Sequence, residues 1–121
     1  MEPNHTSKKY DLEERLLDFS ISIIDLVELL PDNRTCNHLG SQLLRSGTSP
    51  ALTYGEAQAA ESKRDFTHKL GIILKELRET SINLKILHRK SFFSNNTILN
   101  ENKELIAIFA KSIVTSRMKA S

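Results

Sequence analysis

The chain has 121 residues, of which 39% are hydrophobic and 26% are charged, and this is the composition of one ordinary globular domain. No long uncharged apolar run is present and no apolar segment follows the early lysines, so we expect neither a membrane span nor a signal peptide. The single cysteine, Cys36, excludes an internal disulfide and cannot form a zinc site by itself. We therefore expect one cytoplasmic domain over residues 1–121, with residues 1–9 and 118–121 disordered.

The net charge of +2 conceals an uneven distribution of charge along the chain. Residues 1–62 carry five Lys or Arg against ten Asp or Glu, whereas residues 63–121 carry twelve against five. The C-terminal half is therefore basic. An asymmetry of this kind is typical of contact with nucleic acid or with an acidic surface.

A first helix is predicted by apolar residues that recur at alternating spacings of four and three and stop at Pro31. These residues are Leu12, Leu16, Phe19, Ile23, Leu26 and Leu30. A second row widens the apolar face, namely Leu17, Ile21, Ile24 and Val27. Two interpretations stay open: this helix is central in one bundle, or its second row forms a subunit interface.

A second helix is predicted over about residues 35–60, although Gly47 and Pro50 lie in its middle. Proline removes a hydrogen-bond donor and crowds the carbonyl of Ser46, but the neighbouring residues are small or polar. We therefore expect a kinked helix that continues past the proline. Arg45 and Glu56 lie away from its main apolar face. They are expected either to form ion pairs with another helix, as Arg45 would with Glu76 or Glu79, or to remain separately solvated.

A third helix is the clearest, because Ser62 followed by Asp65 resembles a capping box and the apolar spacing continues to about residue 88 or 90. Its buried seam is predicted to contain Phe66, Leu70, Ile73, Leu77, Thr80, Leu84 and Leu87. The opposite side carries basic residues within one sector that contains no Asp or Glu. We call this surface the basic stripe: Arg64, His68, Lys75, Arg78, Lys85 and Arg89.

The basic stripe is our candidate nucleic-acid-binding site. The ordinary alternative is a solvated helix face, but such faces usually mix charges of both signs. The stripe has no aromatic side chain to stack on bases and no Asn or Gln to read their edges. Its expected target is therefore the phosphate backbone of RNA or DNA.

A fourth helix is predicted to start near Asn95 or Asn96, with Asn100 as an equally good cap. Its apolar face contains Leu105, Ile108, Phe109 and Ile113, and the tail from Arg117 onward is expected to be frayed. No strand pattern competes with these four helices. The sequence thus predicts an all-α fold, an antiparallel up-and-down four-helix bundle.

No pattern for catalysis, metal binding or cofactor binding emerges. Bundles that bind two metals use Glu-x-x-His motifs, which this chain lacks, and His68 lies on the stripe rather than on the seam. Residues 45–50 do not have the glycine spacing of a nucleotide-binding loop. Cys36 has no predictable base beside it. We therefore assign no catalytic residue, no metal site and no cofactor.

Five segments resemble a bacterial four-helix-bundle family known for proteins encoded within intervening sequences of 23S ribosomal RNA genes. They are residues 15–19, 42–49, 54–57, 65–66 and 74–80. The resemblance implies a homopentamer with no enzymatic activity. Related accessory proteins of diversity-generating retroelements engage nucleic acid and a reverse transcriptase, so RNA or DNA binding is also implied. Two positions depart from the family pattern, which often has Asn at Thr53 and an aromatic residue at Asn83.

Two hypotheses about function follow. The first is a non-catalytic homo-oligomeric bundle that holds a nucleic-acid backbone with the basic stripe. The second is an interaction scaffold whose basic stripe docks an acidic protein partner.

Overall fold

The computed structural model describes residues 11–120, and the side chains of residues 11–118. It contains four helices, α1 (Leu12–Leu29), α2 (Arg34–Gln58), α3 (Lys63–Arg89) and α4 (Asn96–Ala120). Short connections join them in an antiparallel up-and-down order, so the predicted all-α four-helix bundle is confirmed. Of the ends expected to be disordered, residues 1–9 and 121 lie outside the described residues, while residues 118–120 continue α4.

Each helix begins next to a short polar side chain that accepts a hydrogen bond from a backbone N–H of the first turn. These bonds run from Glu14 to Asp11 (3.1 Å), Cys36 to Asn33 (2.8 Å), Asp65 to Ser62 (3.0 Å) and Thr97 to Asn95 (2.8 Å). The third confirms the start predicted for α3. The last shows that Asn95, and not Asn100, precedes α4.

The end of α3 is fixed by Ser91, which adopts a left-handed backbone conformation with φ 64°. The N–H of Phe92 donates to the carbonyl of Leu87 at 3.0 Å, and the N–H of Ser91 donates to the carbonyl of His88 at 2.9 Å. This pair of bonds forms a Schellman motif, which ends a helix and redirects the chain. Sequence analysis did not predict it, because glycine is the usual residue at such a position.

One hydrophobic core fills the space between the four helices. Its fully buried side chains include Leu16, Phe19, Ile23, Leu43, Leu70, Ile73, Leu77, Leu84, Leu87, Leu105 and Phe109. The ring of Phe109 contacts Tyr54 edge to face, with 5.9 Å between ring centroids. The apolar seams predicted for α1 and α3 are therefore the faces that form the core.

Helices α1 and α2 approach each other closely at Gly47. A Cβ atom added there would lie 2.7, 2.9 and 3.0 Å from three atoms of the Ile23 side chain. Glycine is thus required at this position by space rather than by backbone conformation. Helix α2 continues through the buried Pro50 without a break, as predicted.

The second apolar row of α1 stays outside the core. Leu17, Ile21 and Ile24 are exposed by 42%, 56% and 37%. Leu44 is also exposed, on the flank of α2 that adjoins α1, because Gly40 and Gly47 of the same helix face α1. We call this surface the apolar face: Leu17, Ile21, Ile24 and Leu44. The interpretation that one bundle buries the second row is wrong for three of its four residues, and the interface interpretation remains.

Candidate nucleic-acid interface

Helix α3 presents its two sides as the sequence spacing predicted. Leu70, Ile73, Leu77, Leu84 and Leu87 are buried among the other helices. All six residues of the basic stripe are exposed on the opposite side. The structure therefore brings together the whole set of predicted site residues on one helix surface.

No side chain of the basic stripe forms an ion pair with any residue between 11 and 118. The ion pairs of that part of the chain join Arg15 to Glu101 and Glu104, Arg45 to Glu76 and Glu79, and Lys69 to Glu56. None of these cations belongs to the stripe. Within the described chain, its positive charge is therefore not neutralised by neighbouring carboxylates.

Two of the three acids of α3 are held on another flank by Arg45 of α2. Arg45 Nη1 lies 3.0 Å from Glu76 Oε1, and Arg45 Nη2 also pairs with Glu79. The hydrogen bond with Glu76 raises the pKa of Arg45 above its ordinary value, and the charges of Glu76 and Glu79 add to this effect. Of the two alternatives left open for Arg45, the structure shows the ion pair, and this pairing draws both carboxylates away from the stripe towards α2.

A second pair between α2 and α3 accounts for the other acid considered in the sequence. Glu56 Oε1 lies 3.0 Å from Lys69 Nζ. This hydrogen bond raises the pKa of Lys69. Lys69 is thus a structural cation of the α2–α3 contact, and it does not add to the charge of the stripe.

The stripe broadens into a shallow groove of about 810 Å³ at the start of α3. Arg64, His68 and Lys75 line it, and Gly71 leaves its floor open. Arg117 of α4 lines the same groove from the neighbouring helix. Sequence analysis did not assign Arg117 to the site, because one arginine near the end of another helix carries no spacing signal.

Buried polar contacts fix the rotation of α3 and so direct the stripe outward. The hydroxyls of Thr80 and Ser46 are hydrogen-bonded at 2.9 Å, and the amide of Asn83 donates to the carbonyl of Leu39 at 3.1 Å. On the other side, the amide of Asn102 donates to the carbonyl of Leu77 at 3.2 Å. Rotating α3 would leave these buried groups without partners, which is costly. Among residues 11–118, the Oδ1 of Asn83 is the one buried side-chain oxygen or nitrogen without a hydrogen-bond partner.

Few groups suited to metal binding or catalysis are assembled in the described part of the chain. Residues 11–118 contain no group of three or more His, Cys, Asp or Glu side chains placed to hold a metal ion. The thiol of Cys36 is buried. A separate groove of about 800 Å³ lies at one end of the bundle, with Tyr54, Phe66 and Phe109 among its walls. Burial raises the pKa of Tyr54, and the charges of Asp11 and Glu13 raise it further, so this phenol stays protonated at neutral pH.

None of the described helices combines the length and the apolar character that crossing a bilayer requires. The geometry defines a class of protein: an antiparallel four-helix bundle with one basic helix face.

The chain belongs to the 23S rRNA-intervening sequence protein family, whose family model matches residues 8–113, and the resemblance found in the sequence is thereby confirmed. Among solved structures, it is similar to a protein of unknown function from the S23 ribosomal protein family of Bacteroides thetaiotaomicron. The two share 32% identity and a TM-score of 0.78 over 84% of this chain and 96% of that one. Comparison with curated proteins finds no match. The family is not a known enzyme family.

Proposed function

We propose that this protein is a non-catalytic homo-oligomer of the bacterial cytoplasm that binds the phosphate backbone of RNA or DNA through the basic stripe. The observation that carries the proposal is the exposed set of stripe cations with no ion-pair partner among residues 11–118. Unpaired arginine and lysine side chains on one surface are the electrostatic footprint of phosphate binding.

The placement of the carboxylates supports this proposal. A protein that used the stripe only as a solvated face would gain from mixing charges within it, because pairs four residues apart stabilise a helix. Here Glu76 and Glu79 are paired with Arg45 on another flank instead. The resulting surface has one sign of charge, which favours a polyanionic partner.

Binding should weaken steeply as salt is raised, because counterion release drives the association. Three phosphate contacts on a duplex give a slope of log affinity against log salt of about −2.7, and hence roughly a 40-fold loss between 50 and 200 mM salt. Fluorescence anisotropy with labelled RNA and DNA measures this directly. If neither ligand binds at low salt, the proposal fails. Capture of an acidic protein that survives nuclease treatment would point instead to the scaffold hypothesis.

Self-association through the apolar face is the second part of the proposal. Four exposed aliphatic side chains on adjoining helices form a patch that single soluble chains rarely leave uncovered. A closed symmetric oligomer would cover it and would repeat the basic stripe around the assembly. Family resemblance implies five copies, so the expected mass in solution is that of five chains of 13.7 kDa.

Replacing two apolar residues by acids should separate the subunits without unfolding them. Leu17→Glu with Ile21→Glu places charges where the oligomer would exclude water, but both side chains are exposed in the single chain. Light scattering should show a smaller species than the wild type, with an unchanged helical circular dichroism spectrum. The control is Asp18→Asn with Glu28→Gln, which alters exposed α1 residues and should keep the wild-type mass. A wild-type mass for the Leu17 and Ile21 variant would contradict the assigned interface.

A further inference from the structure

The basic residues of the stripe occur in three pairs rather than at even intervals. Members of a pair are three or four residues apart: Arg64 with His68, Lys75 with Arg78, and Lys85 with Arg89. Corresponding members of successive pairs are ten or eleven residues apart. At a rise of 1.5 Å per residue, neighbouring pair centres lie about 16 Å apart, and the first and last lie about 32 Å apart.

Uncharged residues occupy the same sector between the pairs. Gly71 lies between the first and second pairs, and Ile82 lies between the second and third. A Cβ atom at Gly71 would meet nothing within 4 Å, and Ile82 is 59% exposed. Both positions are therefore open to a ligand but contribute no charge. The stripe is an interrupted array of cations.

This interval matches a double helix better than a single strand. The two backbones of a duplex alternate along one face, separated in turn by the narrower minor groove and the wider major groove. One turn of B-form DNA is about 34–36 Å, so the first and third of three successive crossings are about as far apart as the first and third pairs. Lysine and arginine side chains are long enough to absorb the small difference. A single strand offers phosphates continuously, and its binders add aromatic side chains that stack on bases. The stripe has no Phe, Tyr or Trp.

We propose that the ligand of the stripe is double-stranded nucleic acid, with α3 lying along the duplex and each pair of basic residues contacting one of three successive backbone crossings. This inference rests on the proposed function and names the class of nucleic acid. Gly71 and Ile82 then face the grooves, where no phosphate needs a partner. RNA and DNA duplexes share the backbone chemistry, and separate arms of the experiment distinguish them.

The test compares duplexes with their own single strands by fluorescence anisotropy on the full chain at low salt. Duplex RNA or duplex DNA should bind at least about tenfold more tightly than either component strand. Duplexes of about 12 base pairs should bind much more tightly than duplexes of about 6, because only the longer ones present a full turn. Single strands that bind as tightly as the duplexes would overturn the inference while leaving the proposed function in place. Absence of binding to every nucleic acid would overturn both.

A charge-conserving exchange tests the register of the pairs. Ile82→Lys with Lys85→Ile moves one cation from the third pair into the gap, and both positions are exposed, so folding should be unaffected. Duplex affinity should fall by about tenfold, whereas any single-strand affinity should change by less than about twofold, since a phosphate is available at every position of a single strand. Equal duplex affinity of the exchanged and wild-type proteins would contradict the pairing.

Discussion

Reversing two charges at the centre of the basic stripe should remove most nucleic-acid binding. In Arg78→Glu with Lys85→Glu, two phosphate contacts are lost and two carboxylates repel the backbone. We expect an affinity loss on the order of 100-fold at low salt and a salt slope smaller in magnitude by about 2. Anisotropy titrations at several salt concentrations measure both quantities. The thermal unfolding midpoint should change little, because both side chains are exposed and neither forms an ion pair with another described residue.

The control variant carries the same change in net charge elsewhere. Arg34→Glu with Lys111→Glu reverses two exposed cations that lie on α2 and α4. If net charge alone drove binding, this variant and the stripe variant would bind equally weakly. The proposed interface instead requires the control to keep most of its affinity, within roughly threefold of the wild type. An unchanged affinity of the stripe variant would exclude the stripe as the binding surface.

Filling the space at Gly47 should cause the largest loss of stability from a single added side chain. Gly47→Val places atoms against Ile23, which is fully buried and cannot move into solvent. We expect the free energy of unfolding to fall by about 1–3 kcal/mol, the usual cost of overpacking a core. Chemical denaturation followed by circular dichroism measures the change.

Gly55 gives a matched comparison, because it lies in the same helix and has no neighbour within 4 Å of an added Cβ. Gly55→Val should alter the free energy of unfolding by less than about 0.5 kcal/mol, since only helix propensity changes there. Combining Gly47→Val with Ile23→Ala should cost less than the sum of the separate changes, with a coupling of at least about 0.5 kcal/mol. Additive losses would show that the contact between these residues is not the cause.

The sequence predicted the helices well because their apolar spacing is regular. Leu70, Ile73 and Leu77 follow the helical period and are buried, so residue spacing alone was enough to define α3 and its two faces. The same argument placed Arg45 and Glu56 on one side of α2, away from its main apolar face, but it left open whether they pair with another helix or remain solvated. Periodicity therefore determined which side of each helix forms the core.

Contacts that do not follow from the helical spacing of the sequence could not be predicted. The close approach of Gly47 to Ile23 depends on how two helices cross, and the groove contribution of Arg117 depends on which helix lies beside α3. The left-handed backbone conformation of Ser91 could not be predicted, because serine rarely adopts it. Sequence spacing also left the role of the second row of α1 open, and only burial showed that Leu17, Ile21 and Ile24 are left out of the core.

The tight crossing of α1 and α2 has a consequence for whatever covers their outer surface. Ile23 fills the space beside Gly47, so sliding or rotating one helix against the other would create a clash or a void. Helices α1 and α2 should therefore move as one rigid unit. In the proposed oligomer, an incoming subunit would meet aliphatic side chains whose spacing is already set. Helices α1 and α2 would lose little conformational freedom when the subunits associate. Because of this preorganisation, a modest contact area can hold a long-lived assembly.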